Sequence, residues 1–285
     1  MRYYVTSDVH GFYTPLREVL TRDGFFQDTA PQKLVVAGDL FDRGGEAVAL
    51  QAFILELLEK DEVILIRGNH EDLFAELVTT DHGLSYSHHL GNGTYDTALQ
   101  LTGYSKRKAI LNPLAFARAA RETPYYKTIL RAMLDYYETK KFVITHGWIP
   151  CVPDGTGGLA YIGDWRQAAK RSWRQARWIN GMDAVRTVYE DDKTIICGHW
   201  HTSYGHSRYE GKGSEFGEDA DFSPYMAPGI IALDACTAYS GIVNCIIVED
   251  EEIRQEADRN GSDTDKQIPQ PDSPPQAGGG RNPAG

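Results

Sequence analysis

Short apolar runs alternate along the chain with longer stretches in which apolar residues return every three or four positions. The runs Tyr3–Ser7, Leu34–Ala37, Val63–Ile66, Phe142–Thr145, Thr194–Cys197, Ile230–Leu233 and Ile242–Val248 read as strands. Pro15–Leu20, Glu46–Leu58 and Leu73–Val78 carry the helical period. Strand–helix–strand alternation predicts an α/β fold in which a sheet is covered on both faces.

From about Leu73 to Tyr137 no strand is evident, and Leu114–Ala120 and Ile129–Tyr137 read as helices. A helical insertion, about 73–140, is therefore expected between core strands. Ala168–Ile179 reads as one more helix, its tryptophans turned to the core. Beyond about Glu256 the pattern stops: Pro269, Pro271, Pro274, Pro275 and Gly278-Gly279-Gly280 leave almost nothing apolar to bury. Residues 1–255 are read as one folded domain and 256–285 as a disordered tail.

Composition adds limits. At 285 residues, 41% hydrophobic and 24% charged, the chain has ordinary globular proportions and a sizeable core. A formal net charge of -11 argues against a surface built to grip long nucleic acid. No apolar run reaches the roughly 18 residues that a membrane helix requires. Cys151, Cys197, Cys236 and Cys245 form no CxxC pair, and three lie in or beside apolar runs, so buried thiols in a reducing cytoplasm are expected. Asn92-Gly93-Thr94 and Asn260-Gly261-Ser262 match glycosylation sequons, which carry little meaning without a secretory signal.

The chemistry-bearing residues follow the strands. They are Asp8-Val9-His10-Gly11, Gly38-Asp39-Leu40-Phe41-Asp42-Arg43-Gly44, Arg67-Gly68-Asn69-His70-Glu71, His146-Gly147, Gly198-His199-Trp200-His201 and, more weakly, Asp234. Strand C-termini of a mostly parallel sheet share one edge, where ligand sites collect. Oxygen and imidazole nitrogen donors together suit Mn, Fe, Zn or Co better than calcium. A carboxylate such as Asp39 has two oxygens and can bridge ions roughly 3.5–4 Å apart. Taken singly each piece has a blander explanation: Asp8-x-His10 a turn, Asp39 a helix cap, His146 a hydrogen-bonded core histidine. Their joint occurrence, each after an apolar strand, is what points to a dinuclear metal site.

With these motifs in view, the sequence resembles the calcineurin-like metallophosphoesterases. Within them it is similar to the phosphoprotein phosphatase branch, shared by serine/threonine phosphatases and bis-nucleoside tetraphosphatases and marked by DxHG, GDxxDRG and GNHE. The compact length and the segment Arg177-Trp178-Ile179-Asn180-Gly181-Met182 are closest to bacterial and phage members. The resemblance covers roughly the first 250 residues and implies a β-sandwich core flanked by helices. It implies Asp8 and His10 on a first metal, Asp39 bridging, and Asn69, His146 and His199 on a second. Many metallophosphoesterases also use the second histidine of GHxH, which would make His201 a ligand, although most phosphoprotein phosphatases lack it.

The expected cofactor is a pair of divalent ions, Mn2+ first, with Fe, Zn or Co as alternatives. The expected reaction is in-line attack on phosphorus by a metal-bridging water whose pKa falls from 15.7 towards about 7. His70 is the candidate general acid and Asp42 its orienting partner, a device that contributes roughly 10²–10⁴-fold. Arg43 is a candidate fork onto phosphate oxygens. Arg177 is a second, by analogy with an arginine between the later histidines of the family, while Arg67 is expected to pair with a structural carboxylate. Activity is expected to fall below about pH 6 as histidine ligands protonate. The leading substrate is a phosphoserine or phosphothreonine protein, and the rival is diadenosine tetraphosphate. A nuclease or a metal-stabilised scaffold without chemistry fits the intact Asp42, Arg43 and His70 less well.

Overall fold

The structure, a computed structural model, describes residues 1–79 and 86–251. The expected tail therefore lies outside the described residues. Strand β1 (Arg2–Thr6), helix α1 (Tyr13–Arg22), strand β2 (Gln32–Ala37), helix α2 (Ala47–Glu59) and strand β3 (Val63–Ile66) open the chain. The three strands run parallel, with Val5 level with Val35 and Val35 level with Ile64. Helices α3 (Asn69–Thr79), α4 (Tyr86–Gly91), α5 (Thr94–Thr102), α6 (Lys106–Leu111), α7 (Pro113–Arg121) and α8 (Leu130–Ala132) follow as the helical insertion.

The second half returns to strands: β4 (Tyr137–Glu138), β5 (Phe142–Ile144), a β6 (Cys151–Pro153) and β7 (Leu159–Tyr161) hairpin, then helices α9 (Lys170–Ala176) and α10 (Gly181–Ala184). Strand β8 (Thr194–Cys197), helix α11 (Thr202–Gly205), strands β9 (Tyr225–Ala227) and β10 (Ile230–Ala232), helix α12 (Thr237–Ser240) and strand β11 (Cys245–Glu249) complete it. One sheet has the order β11-β1-β2-β3 and the other β4-β5-β8-β10-β9. In the second sheet β5, β8 and β10 are parallel, with β4 and β9 antiparallel at its edges.

Side-chain alternation explains why these strands read as unbroken apolar runs. Tyr3, Val5, Val35, Ala37, Ile144 and Ile196 form a core between the sheets. Tyr4, Leu34, Val36 and Leu65 turn the other way, against Leu16, Leu20, Leu50 and Ile54 of α1 and α2. On the far side Val143, Ile195 and Cys197 meet Trp148, Trp165, Trp173 and Met182. Strands covered on both faces need no polar side. All four cysteines are free, and among the described residues no helix is long and apolar enough to cross a membrane.

One predicted element is corrected. Ile129–Tyr137 does not continue as a helix; after α8 the chain is extended. Leu134 exchanges backbone hydrogen bonds with the end of β3, its N–H to Leu65 O at 2.9 Å and its carbonyl from Arg67 N at 2.8 Å. The Tyr137 hydroxyl is 3.0 Å from that of Tyr3 in the buried interior. Capture by the sheet outweighs the local helical spacing. The short edge strands β4 and β9 and the β6–β7 hairpin had no sequence signal of their own.

Candidate metal centre

Asp8, Asp39, His146, His199 and Asp234 each stand two positions beyond the last residue of a strand, β1, β2, β5, β8 and β10 respectively, and Asn69 follows β3 by three. The loops are sharply bent there. Asp8, His10, Asp39, Asp42, Arg43 and His199 all have positive φ, between 50° and 79°. A non-glycine residue in that region costs on the order of 1–3 kcal/mol and persists only where its surroundings hold it. Asp8 N donates to Gly38 O at 3.1 Å, His10 N to Asp39 O at 2.9 Å and Gly44 N to His10 O at 2.7 Å. Glu71 adds the central tie: its two oxygens accept from Asp39 N (3.0 Å), Leu40 N (3.0 Å) and Gly68 N (2.7 Å). A side chain on Gly68 would begin 2.1 Å from Asp39 Oδ1, so only glycine permits this approach.

Asp39 lies between two sets of imidazoles. Its Oδ2 is 3.7 Å from His10 Nε2 and 3.8 Å from His70 Nε2. Its Oδ1 is 3.3 Å from His146 Nε2. Potential donor atoms of His10, Asp39 and His70, and separately of Asp39, His146 and His199, converge within 4.8 Å of one another. Asp8 Oδ1 is 4.0 Å from His10 Nε2, and Asp8 Oδ2 accepts from His199 N at 3.0 Å.

The protonation pattern fits cations here. His146 Nδ1 is 2.9 Å from the Ala37 carbonyl, which can only accept, so Nδ1 carries the proton. Burial lowers the pKa of His146, keeping the ring neutral. Its Nε2 lone pair then faces Asn69 Oδ1 at 2.8 Å and Asp39 Oδ1, both acceptors. His10 repeats the logic: Nδ1 donates to Phe41 O at 3.1 Å, and burial holds the ring neutral, leaving Nε2 towards Asp39 and Asp8. Asp8 Oδ1 is buried without a hydrogen-bond partner among the described residues. Lone pairs converging with no proton between them call for a positive ion, and a backbone carbonyl accepting from the other ring nitrogen is how metal-binding histidines are oriented.

Electrostatics agree. Burial, then the charges of Asp234 and Asp39, push the Asp8 carboxyl well up. Burial opposes ionisation of Asp39 as well, but in acid, where the imidazoles of His146, His70, His10 and His199 take up protons, their charge outweighs it and holds the Asp39 carboxyl well below the usual range. Burial takes His199 down to about 3. Glu71 is raised to about 7 by burial and the neighbouring Asp39, despite its three backbone donors. Asp234 is raised to about 6, again by burial. Divalent charge would relieve this crowding of carboxylates.

His70 Nδ1 and Asp42 Oδ2 are 2.8 Å apart and both residues are buried. Burial disfavours the protonated ring, yet Asp39 and the Asp42 hydrogen bond together raise its pKa. Arg43 is exposed above this pair, its Nη2 3.4 Å from His70 Nε2. Among the described residues no carboxylate forms an ion pair with it.

Two predicted site residues stand outside this arrangement. Arg177 is 5% exposed, and its guanidinium is taken by Asp72 at 2.6 Å, by Asp135 and by the Arg67 carbonyl at 3.1 Å, so no fork remains for phosphate. Arg67 pairs with Asp72 at 2.8 Å, as expected. His201 has Nδ1 2.9 Å from Ser203 Oγ and Nε2 3.1 Å from Glu215 Oε1, which turns both nitrogens away from the Asp39 groups. Glu71, three positions after Gly68, is a functional residue whose role the sequence alone does not reveal, because its partners are backbone N–H groups of two loops.

A family model described as calcineurin-like phosphoesterase matches residues 1–220. Over 76 residues the chain is 36% identical to an asymmetrical bis(5'-nucleosyl)-tetraphosphatase PrpE of Bacillus velezensis, covering 25% of this chain and 30% of that protein. Over 71 residues it is 38% identical to a symmetrical bis(5'-nucleosyl)-tetraphosphatase of Cellvibrio japonicus, covering 25% of each. The chain thus aligns with less than a third of the length of these relatives. Among solved structures it is similar to the cold-active protein-tyrosine phosphatase of a psychrophilic Shewanella species, with a TM-score of 0.51 and 16% identity over 87% of this chain and 75% of that one. At that identity the likeness is one of fold alone. The family match spans both sets of converging donors, and the chain belongs to the calcineurin-like phosphoesterases.

Proposed function

We propose that the chain hydrolyses phosphate monoesters with two divalent ions that share Asp39, most readily Mn2+. Asp8 and His10 would hold the first ion with Asp39, and Asn69, His146 and His199 the second. The observation that carries this is the placement of Asp39, whose two oxygens face two separate groups of imidazoles. When bound, such ions acidify water and neutralise charge on the phosphoryl group. Arg43, free of any carboxylate partner among the described residues, grips phosphoryl oxygens. His70 gives its proton to the leaving oxygen, and Asp42 holds its ring and favours its charged form.

The buried His70–Asp42 pair supports an alkoxide leaving group. A serine or threonine oxygen is strongly basic and must be protonated as the bond breaks, whereas a nucleoside polyphosphate leaves as a weak base. The preferred substrate is accordingly a phosphoserine or phosphothreonine protein. A second reading, hydrolysis of bis-nucleoside tetraphosphates, draws on the relatives' names. It also draws on the rings of Trp178 and Trp200, 50% and 37% exposed and 5.7 and 6.1 Å from the His199 ring, where a base could stack. Turnover with manganese is compared on a phosphoserine peptide, diadenosine tetraphosphate and nitrophenyl phosphate. Preference for the peptide supports the first reading, preference for the dinucleotide the second, and no turnover of any of the three overturns both.

A further inference from the structure

Asp42 and Arg43 have φ of 79° and 64°, and the turn they occupy needs support from outside their own loop. That support comes from the helical insertion. Thr94 Oγ1, at the start of α5, donates to Asp42 Oδ2 at 2.9 Å, the same oxygen that faces His70 Nδ1. Thr97, one turn on, accepts from Asp42 N at 3.0 Å through its hydroxyl. Gln100 accepts from Ala47 N at 3.0 Å and donates to Gly44 O at 3.0 Å. Spacing of three places Thr94, Thr97 and Gln100 on one face of α5, and both threonines are buried. Gly93, which precedes the helix at φ +81°, lies so close that a Cβ there would meet Arg43 N at 2.3 Å. The other Asp42 oxygen, Oδ1, is buried with no hydrogen-bond partner among the described residues.

We propose that Thr94 and Thr97 are positioning residues for the reaction, holding Asp42 so that its Oδ2 keeps the His70 ring aimed at the leaving oxygen. The helical insertion thereby belongs to the catalytic apparatus rather than to a peripheral cap. The inference rests on the reading of His70 as proton donor. A threonine that served packing alone would lower the amount of folded protein or the metal content, and would affect all substrates alike. A positioning threonine weighs most where the leaving group needs the proton.

The test compares kcat on a phosphoserine peptide and on nitrophenyl phosphate, with manganese content measured on the same samples. The proteins are wild type, His70→Asn, Thr94→Val, Thr94→Ser and Thr97→Val. Thr94→Val should lose about 10-fold on the peptide and less than about 2-fold on nitrophenyl phosphate, the size of one hydrogen bond to a charged group. Thr94→Ser should restore the peptide rate, and metal content should not change. Thr97→Val reaches the same turn through Asp42 N and should show the same selectivity if Thr94→Val is poorly folded. His70→Asn with selective loss but Thr94→Val and Thr97→Val with equal losses on both substrates overturns the positioning role alone. Equal loss in His70→Asn overturns the proton-donor reading, and the positioning role with it.

Discussion

The Glu71 carboxylate accepts the backbone N–H of Asp39 at 3.0 Å, so the residue shared by both imidazole groups is held in place by a second buried carboxylate. Glu71 Oε2 also takes Gly68 N and Oε1 takes Leu40 N, joining the loops after β2 and β3. Both loops carry candidate ligands, and neither can shift without breaking one of these bonds. Glu71→Gln replaces one acceptor oxygen by an NH2 group that meets a backbone donor. The expected outcome is a loss of about 1–3 kcal/mol of stability from an unsatisfied buried N–H, together with weaker manganese binding. Denaturant unfolding and metal titration check it; wild-type values in both would show that the tie is dispensable.

The metal-free protein should be most sensitive to acid below about pH 4, not at pH 6 as the ordinary histidine pKa implies. His199 protonates at 6.5 when unfolded and at about 3 when folded, so across that window the unfolded state binds more protons and stability falls with pH. His10 and His146 are depressed too and act in the same direction. Glu71 and Asp234 act oppositely: raised from 4.5 to about 7 and from 3.8 to about 6, they bind more protons when folded and stabilise as pH falls through those ranges, and the raised Asp8 and His70 act with them. Below about 3.8 the offset from Glu71 and Asp234 is complete, whereas His199, and Asp39 with its lowered pKa, continue to favour unfolding. Thermal melts in a chelator from pH 7 to 3 should drop more steeply below about pH 4 than above it, and less steeply there in His199→Gln. A smooth decline beginning at pH 6.5 would contradict this balance.

The strand-end motifs were legible because their chemistry is local: a polar ligand directly after an apolar run is visible in one dimension. The sheet strands were legible for the same reason. What could not be read depends on distant partners. Arg177 resembles a phosphate ligand until Asp72 and Asp135 are seen to occupy it. His201 follows His199 closely but turns to Glu215, fourteen positions on. Thr94 sits in what reads as a glycosylation sequon, and only the packing of α5 against the Asp42 turn reveals its hydroxyl on the carboxylate. Strands β4 and β9 are two and three residues long and owe their form to the neighbours they pair with.

Asp39→Asn keeps the size of the side chain but removes its charge and turns one oxygen into an amide nitrogen. One of the two imidazole groups then loses its shared anionic ligand. Turnover should fall below detection, and bound manganese should drop from about two ions to one or none. Near-normal activity with both ions retained would refute the bridging role.

Arg43 and Arg177 should respond differently to truncation, because among the described residues no carboxylate pairs with the first guanidinium, whereas the second is spent on two. Arg43→Ala removes a charged fork at the mouth of the site, and KM for a phosphomonoester should rise about 10-fold or more with stability unchanged. Arg177→Ala leaves Asp72 and Asp135 without their shared partner in a largely buried position. It should destabilise by about 1–3 kcal/mol, discounted from a fully buried pair because Asp135 retains contact with solvent. The fraction that stays folded should show a KM within about 2-fold of wild type, since a group already saturated by carboxylates has no hydrogen bonds to offer a substrate. Steady-state kinetics and denaturant unfolding on both variants separate the cases. A large rise in KM for Arg177→Ala without loss of stability would mean that this arginine leaves its carboxylates when substrate binds, and would return it to the phosphate-binding role its sequence position implies.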